Sequence, residues 1–190
     1  MTVTDVPDGR GAMSLTRPEE ENSMVTNLQV TIRDRDLELT DFMEFLYCGS
    51  MAETSTKEGN ICSAKFKNDS MNNGNSGVAI WKIQDKDKSQ ADTEDKYLAI
   101  MVSNTASLFY HNWMAVGIFA KKDVEDPKEL YDRMYSGDPE SFARAKFAPR
   151  QARASTRLQF ADGEYVVEGC MTGSAKWTVT VEIGRKGAGN

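Results

Sequence analysis

The residues best suited to chemistry form an aromatic cluster. Leu108, Phe109, Tyr110 and Trp113 stand close together, with His111 and Asn112 between them. Tyrosine and tryptophan join an apolar body to a polar tip, which suits the boundary between membrane and water. A tyrosine face also attracts a quaternary ammonium, at on the order of 0.5–2 kcal/mol per ring. Tyr131 and Tyr135, four positions apart, share one face of any helix that carries them. Catalysis asks for a nucleophile with its base, paired carboxylates in a pocket, or a metal. The single histidine, His111, lies outside any motif-like serine or cysteine context, and no glycine-rich phosphate loop is present. Cys48, Cys62 and Cys170 follow no metal spacing and read as small buried hydrophobes in a reduced chain. Asp85, Asp87 and Ser89 have calcium-loop spacing, but Gln90 stands where the turn glycine belongs and Lys96 where the closing glutamate belongs. The expectation is a binding protein and not an enzyme, with no metal or cofactor.

The elements that must position these residues are mostly strands. Tyr97–Val102 and Met114–Phe119 are continuous apolar runs of strand length, the mark of strands covered on both faces. The turn-forming cluster 103–107 and the aromatic residues lie between them. A connection carrying Leu, Phe, Tyr and Trp either folds back onto the core or presents an apolar tip to something outside. Further strands are expected where apolar residues alternate: at Leu28, Val30 and Ile32; at Cys62, Ala64 and Phe66; and at Trp177, Val179, Val181 and Ile183. Residues 37–48 form a long apolar segment, 49–60 a polar loop, 67–76 a loop and 77–83 a strand. Residues 156–160 and 165–170 pair through the hairpin signal Asp162-Gly163. Asp126 as N-cap, Pro127 at the first helical position, Glu129 and the stop at Gly137 predict one short helix. Asp138-Pro139-Glu140 predicts the start of a second. About eight strands with one or two short helices make the fold class mainly β, a β-sandwich flanked by short α-helices.

With 190 residues the chain is long enough for one domain with a sizeable core. Its parts are a polar arm over 1–26, the sandwich over 27–186 and a tail over 187–190. Against 29 acidic residues stand 23 basic ones, and the net charge of −6 argues against nucleic acid as a partner and against strong general attraction to anionic membranes. Arg144, Lys146, Arg150, Arg153 and Arg157 are a local exception. They read as a solvated face or as contacts to lipid phosphate. The N-terminal stretch has no apolar signal core, and nothing approaches a membrane span. The expectation is a soluble chain, cytoplasmic or released by a non-classical route, that acts at membrane surfaces.

The segment around the aromatic cluster resembles the actinoporins, the sea-anemone pore-forming cytolysins. Tyr110-His111-Asn112-Trp113 leading into Met114–Phe119 has that family's order of tyrosine, polar pair, tryptophan and strand. Leu130-Tyr131-Asp132-Arg133-Met134-Tyr135 resembles its tyrosine helix, and 168–174 its approach to the final strand. The resemblance covers roughly residues 27–186. It implies an actinoporin-like sandwich that binds phosphocholine or sphingomyelin headgroups through Ser103, Tyr110, Tyr131 and Tyr135. Leu108, Phe109 and Trp113 would contact the membrane, and copies would assemble into homo-oligomers there. One family tyrosine falls on Ser136 here and one family serine near Cys48. The family opens pores with an amphipathic N-terminal helix. Pro7, Pro18 and Glu19–Glu21 offer no apolar stripe for one, so pore formation is not expected to follow from binding. Fungal fruit-body lectins share such a sandwich, and the alternative reading is a carbohydrate-binding module without pore formation.

Overall fold

The computed structural model describes residues 25–68, 74–86, 94–104, 111–137, 140–147, 157–173 and 176–187. Among them eleven strands and two helices follow in order. They are β1 (Val25–Ile32), β2 (Leu37–Cys48), β3 (Ser50–Glu58), β4 (Ile61–Lys67), β5 (Asn75–Asp85), β6 (Lys96–Asn104), β7 (Asn112–Ala120), α1 (Lys121–Val124), α2 (Pro127–Ser136), β8 (Phe142–Phe147), β9 (Leu158–Asp162), β10 (Tyr165–Gly173) and β11 (Lys176–Arg185). The strands form two sheets, β3-β4-β1-β11-β10-β9 and β2-β5-β6-β7-β8. Neighbours run antiparallel except β1 and β11, which pair in parallel.

Period-two patterning decides what each sheet buries. Leu28, Val30 and Ile32 of β1 meet Val179, Val181 and Ile183 of β11 on one side of the core. Leu98, Ile100, Val102, Met114 and Val116 face them from the five-stranded sheet. The intervening residues Ala99, Met101, Ala115 and Phe119 enter a second cluster with Leu130, Tyr131 and Met134 of α2. Strands β5 to β7 are therefore covered on both faces, and this is why they read as unbroken apolar runs.

α2 starts as its sequence dictates. Asp126 Oδ1 accepts from the backbone N–H of Lys128 at 2.9 Å and of Glu129 at 3.1 Å, with Pro127 at the first helical position. It ends at Gly137, whose φ of −75° is open to any residue. What demands glycine there is space, since a Cβ would lie 2.6 Å from the Arg133 carbonyl oxygen.

Four expectations need correction. The polar stretch 49–60 is no loop, because 50–58 is the edge strand β3. Its charged, exposed side chains are the usual means of blunting an edge, and they hid the alternation. The strand count is eleven among the described residues, not about eight. The second short helix is α1, ahead of α2. Residues 138 and 139 lie outside the described residues, and the chain beyond them enters β8. Of the cysteines only Cys62 is buried. Cys170 points outward from β10, its Sγ 3.0 Å from Thr180 Oγ1, and Cys48 is half-buried at the end of β2.

Candidate functional site

Two register shifts in β2 build one side of the site. Thr40 pairs with Lys82 but Met43 with Ile80, so one extra residue is taken up between them, where Asp41 adopts a φ of +47°. Leu37 and Leu39 face the inter-sheet core before the shift. After it Phe42 and Leu46 keep that core, and Met43 and Phe45 pack against the cluster under α2. The second shift falls between Leu46, paired with Gly77, and Cys48, paired with Ser76. Tyr47 is the extra residue, and it is 68% exposed. A bulge re-aims a side chain, and here it lays the Tyr47 ring against the helix.

α2 supplies the other side. The Tyr47 and Tyr131 rings stack with centroids 5.6 Å apart and planes 12° from parallel. Tyr131 and Tyr135, at i and i+4, stack at 5.8 Å and 13°. Phe45 tilts against Tyr131 from below at 5.7 Å. Three near-parallel rings result, with the buried Tyr131 in the middle and the exposed Tyr47 and Tyr135 outside. Trp113, half-buried at the start of β7, meets Tyr135 edge-on with centroids 6.4 Å apart. Parallel offset rings and edge contacts are the arrangements that aromatic quadrupoles favour.

The middle ring is tied by its hydroxyl. Tyr131 Oη lies 2.6 Å from Ser76 Oγ, and Ser76 Oγ donates to the Val102 carbonyl at 3.2 Å. Serine has one proton to give, so the Tyr131 hydroxyl donates to Ser76. Burial pushes the Tyr131 phenol up from 10.0 to about 12.

One cross-strand row underlies this cluster. Cys48, Ser76, Ser103, Trp113 and Lys146 are successive partners across β2, β5, β6, β7 and β8. Directly paired residues share a face, so the row lies on the α2 side of the sheet. Ser103 is thus the neighbour of Ser76 on one side and of Trp113 on the other, and it is buried. Lys146 Nζ lies 5.0 Å from the Trp113 ring centroid and Arg144 Cζ 5.1 Å from it. Arg144 Nη1 also donates to the Tyr135 carbonyl oxygen.

The structure brings Ser103, Tyr131, Tyr135 and Trp113 into one patch. Leu108, Phe109 and Tyr110 lie outside the described residues. Sequence reasoning missed Tyr47 and Ser76. Tyr47 sits in an apolar run whose faces change at two bulges, so no periodicity marks it. Ser76 did carry a signal: it bounds the apolar run of β5 at the end where Ser103 bounds that of β6. Antiparallel pairing sets the two side by side.

No protein-family profile matches the chain, and no curated protein matches it. Among solved structures the fold is similar to that of the lipid binding protein Nakanori, seen in its crystal structure. The TM-score is 0.57 over 85% of this chain and 71% of that one, with 10% of residues identical. At that identity the likeness is one of fold alone.

Proposed function

We propose that this protein binds membrane surfaces by holding a quaternary-ammonium lipid headgroup, of the phosphocholine or sphingomyelin type, against Tyr47 and Tyr135 beside Trp113. The observation that carries this reading is the three-ring stack, whose outer rings are 68% and 40% exposed while the middle one is locked at 3%. Aromatic rings left in water forgo their apolar burial, roughly 25 cal/mol per Å². A rigid, exposed aromatic shelf is therefore worth holding in place when something docks on it. Tyr131 and Ser103 act beneath the surface in this reading: Tyr131 backs the two outer rings and Ser103 lines the row below them. The fold shared with a lipid binding protein supports lipid as the ligand class. Among the described residues no helix is long and apolar enough to cross a membrane, so contact through this shelf is the mode of attachment we propose.

Sedimentation with sphingomyelin or phosphatidylcholine vesicles tests the reading. Tyr47→Ala and Tyr135→Ala should each weaken binding about two- to thirtyfold, the loss of one cation–π partner of roughly 0.5–2 kcal/mol. Soluble phosphocholine should compete with vesicles. Wild-type binding by both variants would remove the shelf from the mechanism. Competition by sugars but not by phosphocholine would assign it to carbohydrate.

A further inference from the structure

We infer that Arg144 and Lys146 form an anion subsite at the edge of the aromatic shelf that takes the phosphate of a lipid headgroup. The inference rests on the membrane reading above and adds a charge requirement to it.

β8 is the last strand of the five-stranded sheet, and Arg144 and Lys146, two apart, project from one face of it. Lys146 pairs directly with Trp113 and Arg144 with Ala115, so that face is the one carrying the shelf. Both cations lie within cation–π range of the same indole, at 5.0 and 5.1 Å from its centroid. Arg144 is further fixed by its bond to the Tyr135 carbonyl, at the end of α2.

Several cations elsewhere in the structure are held by carboxylates. Lys57 sits on Glu38, Lys65 on Glu53, Lys82 on Asp95, Lys96 on Asp162 and Arg133 on Asp123. In a chain with more carboxylates than cations, that is the expected state. Among the described residues neither Arg144 nor Lys146 forms an ion pair. On α2 the acidic side chain of Asp132 is engaged by Lys128 at 2.8 Å. A guanidinium has five N–H donors in a fork shaped for phosphate, and the carbonyl of Tyr135 uses only part of it. Two positive charges with no carboxylate partner among the described residues therefore stand beside rings suited to an ammonium. A zwitterionic phospholipid headgroup carries those two complementary charges, a phosphate and an ammonium joined by a short bridge.

A purely structural reading would have Arg144 cap the helix end and Lys146 shield the indole. The two readings part on membrane charge. Full-length wild type, Arg144→Gln, Lys146→Gln and the double variant would be titrated with phosphatidylcholine vesicles. The same series would be run on phosphatidylcholine mixed with phosphatidylglycerol, each at low and high sodium chloride. Wild type should bind the mixed vesicles roughly tenfold more tightly at low salt, and high salt should erase the gain. The double variant should lose that gain and its salt dependence while its urea midpoint stays near that of wild type. Tyr47→Ala should weaken binding to both vesicles and leave the anionic increment in place, which separates failure of the shelf from failure of the subsite. Inorganic phosphate should displace the protein no better than chloride of equal ionic strength. Superior displacement would assign the cations to free phosphate and overturn the lipid assignment. A double variant that keeps the anionic preference, or a wild type without one, would overturn the subsite itself.

Discussion

The hydroxyl of Tyr131 reaches 2.6 Å to Ser76, a residue 55 positions earlier, and so pins the middle ring of the shelf to the sheet. The pair is asymmetric, because Ser76 passes its own proton to Val102. Removing the tyrosine hydroxyl leaves that serine bond intact. Removing the serine leaves a phenolic donor buried with no acceptor. Ser76→Ala should therefore destabilise the fold more than Tyr131→Phe, about 1–3 kcal/mol against about 1 kcal/mol. Urea unfolding of the two variants decides it, and a reversed order would refute the assigned donor direction.

Burial of the same ring sets a pH dependence. Burial favours the neutral phenol, so folded Tyr131 keeps its proton to about pH 12 while the unfolded chain releases it near 10. Between those values the folded state binds more protons than the unfolded one, and stability falls as pH rises. The contribution is fully present below pH 10 and is lost by about pH 12, on the order of 2–3 kcal/mol in all. Tyr131→Phe carries no such group. Its urea midpoint should drop less than that of wild type between about pH 9 and about pH 11.5. Parallel curves for the two proteins would show that Tyr131 titrates alike in both states.

The fold was readable wherever a single face is buried. Leu28, Val30 and Ile32, or Trp177, Val179 and Val181, announce their strands because every second side chain must leave water. Asp126 and Pro127 announce α2 because its first N–H groups need an acceptor. β3 was not readable, since an edge strand need bury almost nothing. Nor were the bulges of β2, which depend on what β5 offers opposite and not on β2 alone. The site divides in the same way. Helical spacing places Tyr131 and Tyr135 on one face. It does not tell that Tyr131 packs over the sheet while Tyr135, one turn later, stays 40% exposed. Tyr47, the most exposed ring of the stack, reaches its place through a register shift that no local pattern encodes.

The membrane binding proposed above need not lead to a pore, and the position of β1 is a reason to expect no efficient one. A pore built from an inserting N-terminal helix needs about 20 residues to span the hydrocarbon core. β1 begins at Val25 and runs between β4 and β11, bonded to both, with Leu28 and Val30 at 1% and 0% exposure. Drawing it into a helix would break two ladders in the middle of a sheet and uncover the core. Residues 1–24, ahead of β1, contain Pro7, Pro18 and the run Glu19–Glu21. Pro18 inside a helix would cost about 3 kcal/mol, and Met13, Leu15 and Met24 make no continuous stripe for lipid. We therefore expect sphingomyelin vesicles to bind the protein but to release little trapped dye, and deletion of residues 1–20 to leave binding unchanged. Strong leakage from full-length protein, abolished by that deletion, would show that this segment inserts without the sheet giving way.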